Sequence, residues 1–245
     1  MGALFTVDRI TRAVAKPFIE RLHYSHACPG GHTAFFGAFL EDDGRLYAVA
    51  AYGIGANPGS AAAFARMTGL PVTKRNMVEL KRICREGEKG AALIPMTAFM
   101  SRCHDALWRH GFGLHTGGPK RFVISYSDPA HSHDGTLYKA ANFQHLGMVE
   151  PQRHFRDAAG ELVHARKPHN RMTRWNEHHP DLMDLCPMET SDAVYELGLK
   201  PFRTVPKDRW FLDLGKPPRG QPWDLYEDCP CFECKRAALR LPAAR

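Results

Sequence analysis

Long apolar runs are missing from this 245-residue chain, and their absence excludes several classes of protein. No window approaches the roughly 18 consecutive apolar residues of a membrane-spanning helix. The start of the chain, MGALFTVDRITRAVAKPF, carries charges inside every apolar stretch and so lacks the apolar core of a secretory signal peptide. We therefore expect a cytoplasmic protein that does not associate with membranes.

Cysteines are few and odd in number, with seven in the chain. A disulfide framework in a small secreted domain uses an even set, so this pattern indicates reduced thiols or a metal site. Near the C-terminus, Cys229, Cys231 and Cys234 have the spacing C-x-C-x-x-C. They could hold zinc with a fourth ligand from Cys186 or a histidine. Zinc ribbons usually have two separated cysteine pairs, so free thiols are the alternative.

Internal repeats and low-complexity tracts are also absent, and 44% hydrophobic residues suffice for a full core. The 33 Lys and Arg residues outnumber the 26 Asp and Glu residues, which gives a net charge of +7. Basic proteins attract polyanions, so nucleic acid is the first partner class to consider. A solvated basic surface is the alternative.

The order of predicted elements is typical of an α/β protein. The pattern predicts helices at 8–24, kinked by Pro17, and at 91–110 and 135–142, and strands at 33–40, 45–54, 77–84, 121–126, 145–150, 161–166 and 208–214. Residues 168–201 give no clear pattern. The order matches the GNAT (acetyltransferase-like) fold, a mixed sheet flanked by helices. We predict a GNAT-like catalytic core over residues 1–165 and a basic, Cys-containing extension over 166–245 packed on it.

The densest motif is ISYSDPAHSHDGTLYKAANFQHLG at residues 124–147. A strand ends in polar residues that include Ser125 and Asp128, and a short helix with Tyr138 follows. Such strand ends are where α/β folds place their sites. The run SDP, a His-rich link, G-T-L-Y-x-A-x-N-F and L-G resembles the phage Mom family of DNA adenine-modification proteins. The pair His23-Tyr24, after an N-terminal helix, also fits that family.

The resemblance implies an enzyme that places a carbamoylmethyl group on N6 of adenine in duplex phage DNA, in the host cytoplasm. The modified DNA then resists host restriction enzymes. Family residues thought to matter, some as iron ligands, correspond to His23, Tyr24, Asp128 and Tyr138. Histidine, phenolate and carboxylate form a ligand set that suits iron. The alternatives are structural: a helix cap for His23 and Tyr24, a turn for Asp128, and core packing for Tyr138.

The GNAT-like order implies a second set of roles. Tyr138 lies where such enzymes often carry the acid that protonates the CoA thiolate, and Glu79 lies where they often carry a general base. The loop with Arg85, Gly87 and Gly90 lies where they bind the CoA pyrophosphate through backbone N–H groups. Glu86 and Glu88 depart from that pattern, so a simple loop is the alternative, as is an outward-facing, solvated position for Glu79.

The chemistry of the product separates this protein from ordinary acyl transfer. Adenine N6 is a poor nucleophile, and a carbamoylmethyl group is attached through CH₂, whereas attack on a thioester carbonyl would give an amide. A redox metal is one way to form the link, and the donor stays open, with a CoA thioester among the candidates. The alternative function is a CoA-dependent N-acetyltransferase acting on a small amine or protein. A non-catalytic DNA-binding protein and a DNA methyltransferase rank lower.

Contact with DNA is expected from basic residues after the core. The predicted set is Arg166, Lys167, Arg171, Arg174, Trp175 and Lys207. Cationic side chains would bind phosphates, and the indole would stack against a base when the target adenine is flipped out of the duplex. Solvated loops are the alternative. The sequence does not indicate the oligomeric state.

Overall fold

The computed structural model describes residues 3–54, 59–87, 92–111, 119–131, 133–151, 153–163, 166–182 and 188–215. The chain divides into two compact units. The first comprises Met1–Ser127, His131–Gly147 and Asp208–Arg245, and the second comprises Asp128–Ala130 and Met148–Lys207. The chain thus leaves the first unit after β6, defined below, and returns to it for the last described strand.

A seven-stranded mixed sheet forms the centre of the first unit. Its strands are β1 (Phe5–Ile10), β2 (Thr33–Leu40), β3 (Leu46–Gly53), β4 (Met77–Arg85), β5 (Phe122–Ser127), β6 (Gln144–Val149) and β10 (Lys207–Asp213). They lie in the order β1-β2-β3-β4-β5-β10-β6. Strands β1 to β4 are antiparallel to one another, β5 runs parallel to β4, and β10 runs antiparallel to β5.

Helices cover both faces of this sheet. They are α1 (Arg12–Leu22), α2 (Ser60–Thr68), α3 (Met96–His110) and α4 (Thr136–Ala140). Phe18 of α1 packs with Phe35 and Val49 on one face, and Phe99 of α3 packs with Phe36 on the other. Burial on both faces explains why β3 reads LYAVAAYG, an almost continuous apolar run. The predicted mixed α/β sheet flanked by helices is therefore confirmed.

The N-terminal segment differs from the prediction. Residues 5–10 form an edge strand, and α1 begins only after Thr11, whose hydroxyl accepts the N–H of Val14 as an N-cap. Ile10 therefore belongs to β1, and the predicted helix start at residue 8 is wrong. Pro17 lies within a single helix of 11 residues and does not divide it.

The second unit is smaller and contains the region that had no clear pattern. Its three-stranded sheet has the order β8-β7-β9, with β7 at Arg153–Arg156, β8 at Leu162–Val163 and β9 at Lys200–Arg203. Helices α5 (Arg166–His178) and α6 (Thr190–Glu196) follow β8. Phe155, Val163 and Leu199 form its small core. The predicted strand at 161–166 is therefore only two residues long, because α5 begins at Arg166.

The feature that positions the site is the parallel pair β4 and β5. Their paired residues run from Met77 opposite Phe122 to Leu80 opposite Ser125. The pairing ends there, although β4 continues to Arg85 and β5 to Ser127. The two strands therefore diverge at their carboxyl ends. None of the helices in the described part of the chain is long and apolar enough to cross a membrane.

Candidate active site between the diverging strands

A cavity of about 710 Å³ lies where β4 and β5 diverge. The end of α1, the link before α4, and α4 itself complete its walls. The lining residues are His23, Tyr24, Lys81, Arg82, Ile83, Tyr126, His131, His133, Asp134, Gly135, Thr136, Leu137, Tyr138 and Ala140. Three of the four residues singled out by the family resemblance thus share one cavity, although the first and last lie far apart in sequence.

His23 is buried and presents a defined tautomer. Its Nδ1 accepts the backbone N–H of Ser25 at 3.1 Å and lies 2.9 Å from the hydroxyl of the same residue. A nitrogen that accepts a backbone N–H carries no hydrogen, so in the neutral ring the hydrogen is on Nε2. Burial, with the charge of Arg82 next, lowers the His23 pKa to about 3. His23 is therefore a neutral donor of one Nε2–H bond at physiological pH.

Tyr24 is surrounded by imidazole rings. Its ring centroid lies 4.4 Å from that of His23, 4.4 Å from that of His131 and 4.6 Å from that of His133. The first two rings are tilted by about 30°, and the third is edge-on. The side chain of Arg82 holds the following loop to β4, because its Nε donates to the carbonyl oxygen of Ala27 at 3.3 Å. The result is an aromatic wall of the kind that stacks planar ligands.

Tyr138 is connected to the backbone of β4 through Ser125. The Ser125 Oγ lies 3.0 Å from the carbonyl oxygen of Leu80 and 2.9 Å from the Tyr138 Oη. A carbonyl oxygen only accepts, so the single serine hydrogen goes to Leu80 and the phenol donates its own hydrogen to Ser125. The remaining lone pair of the phenol oxygen is then available to a ligand. Burial raises the Tyr138 pKa, so the phenol stays protonated at neutral pH.

Close packing with β10 fixes the start of α4. Gly135 has φ +77, and a Cβ added to it would lie 2.0 Å from Cζ2 of Trp210. The same indole stacks on Tyr138 with centroids 5.5 Å apart, and its Nε1–H donates to Ser127 at 2.9 Å. Only glycine meets both requirements, the left-handed backbone and the close approach. The orientation of Tyr138 therefore depends on this glycine and this tryptophan.

The predicted iron site does not fit this geometry. A histidine that ligates a metal usually donates its other ring N–H to an oxygen, whereas the other nitrogen of His23 accepts a hydrogen bond from Ser25. A phenolate ligand at Tyr138 would oppose a pKa that burial raises. Among the residues that the structure describes, no group of three His, Cys, Asp or Glu side chains could hold a metal ion. The predicted zinc ligands Cys229, Cys231 and Cys234 lie outside the described residues.

Asp128 and Glu79 do not line the cavity. Asp128 belongs to the second unit, where its buried carboxylate forms an ion pair with Lys207 at 2.9 Å. Lys207, predicted to contact DNA, is engaged in this pair. Glu79 is a half-buried residue of β4, opposite Gly53 and Ile124. Its charge raises the pKa of Tyr126 further, after the larger effect of burial.

The loop predicted to bind a pyrophosphate is described only in part. Arg85 donates to the carbonyl oxygen of Glu86 at 2.8 Å, and Gly87 has φ +79, whereas Gly90 lies outside the described residues. The carboxylate of Glu86 forms ion pairs with Arg21 and Arg45. One of the two negative charges that spoke against a pyrophosphate is therefore neutralised by two arginines.

The residues predicted to contact DNA lie mostly on α5. Lys167 and Arg174 are exposed, and Arg171 forms an ion pair with Glu196 at 2.6 Å. Arg166 begins the helix, and the position of its side chain is not described. Trp175 is half-buried.

Trp175 is also stacked within its own helix. Its ring lies 4.4 Å from that of His179, one turn further along the chain. A stacked, half-buried indole is less available to a base than a free one.

Sequence reasoning missed four residues of the site. Lys81, His131 and His133 line the cavity, and Trp210 supports α4 from β10. The pattern His-x-His before Gly135 was a visible signal for the two histidines. The other two had no local signal, because their positions depend on strand pairing.

Comparison with known proteins follows the same division into fold and family. The spermidine/spermine N-acetyltransferase SpeG from Vibrio cholerae, solved with manganese ions, is 9% identical with a TM-score of 0.44, over 86% of this chain and 92% of that one. The ribosomal-protein-S18-alanine N-acetyltransferase from Escherichia coli is 9% identical with a TM-score of 0.41, over 90% and 100%. No curated protein sequence matches the chain.

The family is assigned by sequence. The family model described as the Mom protein family matches residues 4–193. This range includes α1, the whole of β4 and β5, and the segment from Ser125 to Tyr138 that carries the motif. Because the match covers well over half of the chain, the protein belongs to the Mom protein family.

Proposed function

We propose that this protein is a transferase that places a carbamoylmethyl group on N6 of adenine in duplex DNA and so protects phage DNA from host restriction. Membership of the Mom family supports DNA modification and a transferase activity. The observation that carries the proposal is the cavity at the diverging strands, which brings His23, Tyr24 and Tyr138 together. A base inside a duplex is out of reach, so the target adenine must leave the stack.

The polar groups of the cavity complement an adenine. An adenine presents ring nitrogens that accept hydrogen bonds and an N6 amino group that donates them. His23 offers one Nε2–H donor, and the Tyr138 oxygen offers a lone pair. The ring of Tyr24 offers a stacking surface. In this arrangement the base is held by its edge, and Tyr138 orients N6 towards the transferred carbon.

The transfer step balances as a substitution at carbon. The N6–CH₂ bond forms, the bond from that CH₂ to its leaving group breaks with the electron pair on the leaving group, and N6 loses one proton. The neutral, hydrogen-bonded phenol fits an orienting role better than that of a phenolate ligand. The exposed cations of α5, Lys167 and Arg174, would contribute phosphate contacts.

Nucleoside mass spectrometry on DNA from expressing cells tests the proposal. The unaltered protein should yield an adenine nucleoside heavier by one carbamoylmethyl substituent. Tyr138→Phe keeps the ring and its packing on Trp210, and it should lower the yield by about 100-fold or more, the usual scale for a lost catalytic hydroxyl. Tyr195→Phe is the matched control, because Tyr195 is 89% exposed on α6.

The outcomes separate the proposal from its failure. Unmodified adenine from cells that contain soluble, folded protein would refute it. Full modification by Tyr138→Phe would refute the role of the hydroxyl and leave the product assignment standing.

A CoA-dependent N-acetyltransferase acting on a small amine or protein is the second candidate. One observation favours it: Glu86, at the start of the predicted pyrophosphate loop, is neutralised by Arg21 and Arg45. Titration calorimetry with acetyl-CoA tests it. Saturable binding that weakens in Arg85→Ala would support this candidate, and absence of binding would remove it.

A further inference from the structure

Lys81 occupies an unusual place in β4. The residues of β3 and β4 are paired as Ala51 with Arg82 and then as Tyr52 with Leu80. Lys81 is therefore skipped by the pairing and is the extra residue of a β-bulge. Bulges occur next to active sites, where they redirect a side chain that regular pleating would place elsewhere. Here the redirected residue is a lysine that lines the cavity.

Gly53, the last residue of β3, makes room for this side chain. A Cβ added to Gly53 would lie 2.4 Å from Cε and 2.6 Å from Nζ of Lys81. The end of the lysine therefore lies directly over the glycine. Its ammonium group makes no hydrogen bond or ion pair with any residue that the structure describes, so the charge is available to a ligand.

The surrounding wall has an excess of cationic and N–H-bearing groups. Arg82, His131 and His133 line the cavity beside Lys81. Asp134 supplies the one carboxylate among the described lining residues, and its two oxygens accept the N–H and the hydroxyl of Thr136 at 3.0 and 2.7 Å. An anionic ligand would thus meet a positive field.

We propose that Lys81 binds a backbone phosphate of the target nucleotide when its adenine enters the cavity. The inference rests on the proposed function, because it assumes DNA as the substrate. A flipped nucleotide brings its own phosphodiester to the mouth of the pocket that receives the base. The aromatic wall around Tyr24 would receive the base, and Lys81 would neutralise the adjoining phosphate.

Salt dependence of binding tests this contact. The probe is a duplex with one adenine opposite an abasic site, which flips at low cost, compared with the same duplex fully paired. For the first probe, Lys81→Met should make the slope of log K against log salt shallower by about 1 and weaken binding about eightfold at 0.1 M salt, as expected for one lost phosphate contact. Lys74→Met, which removes the same charge from an exposed position, should leave the difference between the two probes unchanged.

Gly53→Ala provides a second variant that retains the charge. The added methyl meets the flexible end of Lys81, so the ammonium group moves while the backbone, whose φ is not positive, need not change. We expect the same loss as in Lys81→Met and no further loss in the double variant. A duplex with a neutral methylphosphonate linkage beside the adenine should bind the unaltered protein as weakly as the normal probe binds Lys81→Met.

Each outcome bears on one level of the argument. If the unaltered protein binds neither probe and modifies no DNA, the proposed function fails and this inference fails with it. If the unaltered protein prefers the flipped adenine and Lys81→Met retains the full slope, only this inference is overturned. A methylphosphonate without effect, combined with slower modification by Lys81→Met, would also overturn it, because Lys81 would then act on an anionic donor.

Discussion

Lowering the pH from 7 to 5 should destabilise the folded chain by about 4 kcal/mol, because two histidines are held neutral inside it. Burial is the largest cause in both cases, and it lowers the pKa of His23 to about 3 and that of His104 to about 4. His104 lies in α3 at 5% exposure, and its Nε2 has no hydrogen-bond partner among the described residues. Neither imidazole can become charged without losing the folded structure.

The magnitude follows from proton linkage. Both pKa values are depressed below the ordinary value of 6.5, so the unfolded chain binds more protons between pH 6.5 and the folded pKa. The stabilisation is therefore complete above pH 6.5 and is lost as the pH falls. At pH 5 each site has lost about 1.5 pH units of linkage, or about 2 kcal/mol at 1.36 kcal/mol per unit. The sum is a large part of the 5–15 kcal/mol that stabilises a typical domain.

Urea denaturation followed by far-UV circular dichroism at pH 7 and pH 5 measures this loss. His104→Leu removes one of the two sites, so its loss between the two pH values should be about half as large. Its stability at pH 7 should be equal or higher, because it removes an unpartnered buried nitrogen. His32→Gln is the control, since His32 is exposed. Equal losses in His104→Leu and the unaltered protein would refute the reasoning.

Two further substitutions test the support of the site. Gly135→Ala should lower the free energy of unfolding by at least 2 kcal/mol more than Gly147→Ala, measured in urea, because both glycines have positive φ but only the first meets Trp210; equal losses would contradict the close contact. Ser125→Ala should cost about 1–3 kcal/mol, since the buried hydroxyl of Tyr138 loses its acceptor, and an unchanged urea midpoint would argue against the hydrogen-bonded chain.

The central strands could be predicted from the sequence because each carries its own signal. The apolar runs of β2 and β3 flank the turn at Asp42-Asp43-Gly44, and this local chemistry decides the hairpin. The edge strand β1 could not be predicted in the same way. The spacing of Ile10, Val14, Phe18 and Leu22 suits a helix throughout, and only the pairing with β2 places Ile10 in a strand.

The site was predictable where residues lie in one motif, as Ser125 and Tyr138 do. It was not predictable where pairing between strands decides the outcome. The bulge at Lys81 exists because β3 and β4 are paired out of register there, and no property of the segment VELKRIC announces it. The positions of the two histidines around Tyr24 likewise depend on how the link before α4 packs against the end of α1.

The position of β10 has a consequence for synthesis of the protein. This strand lies between β5 and β6, and its Trp210 supports both Gly135 and Tyr138. Until about residue 213 has left the ribosome, β5 has an unpaired edge and α4 lacks the surface on which it packs. A nascent chain therefore cannot assemble the cavity in stages from its N-terminus, and an unpaired edge strand invites aggregation. The enzyme should gain its activity late and in one step.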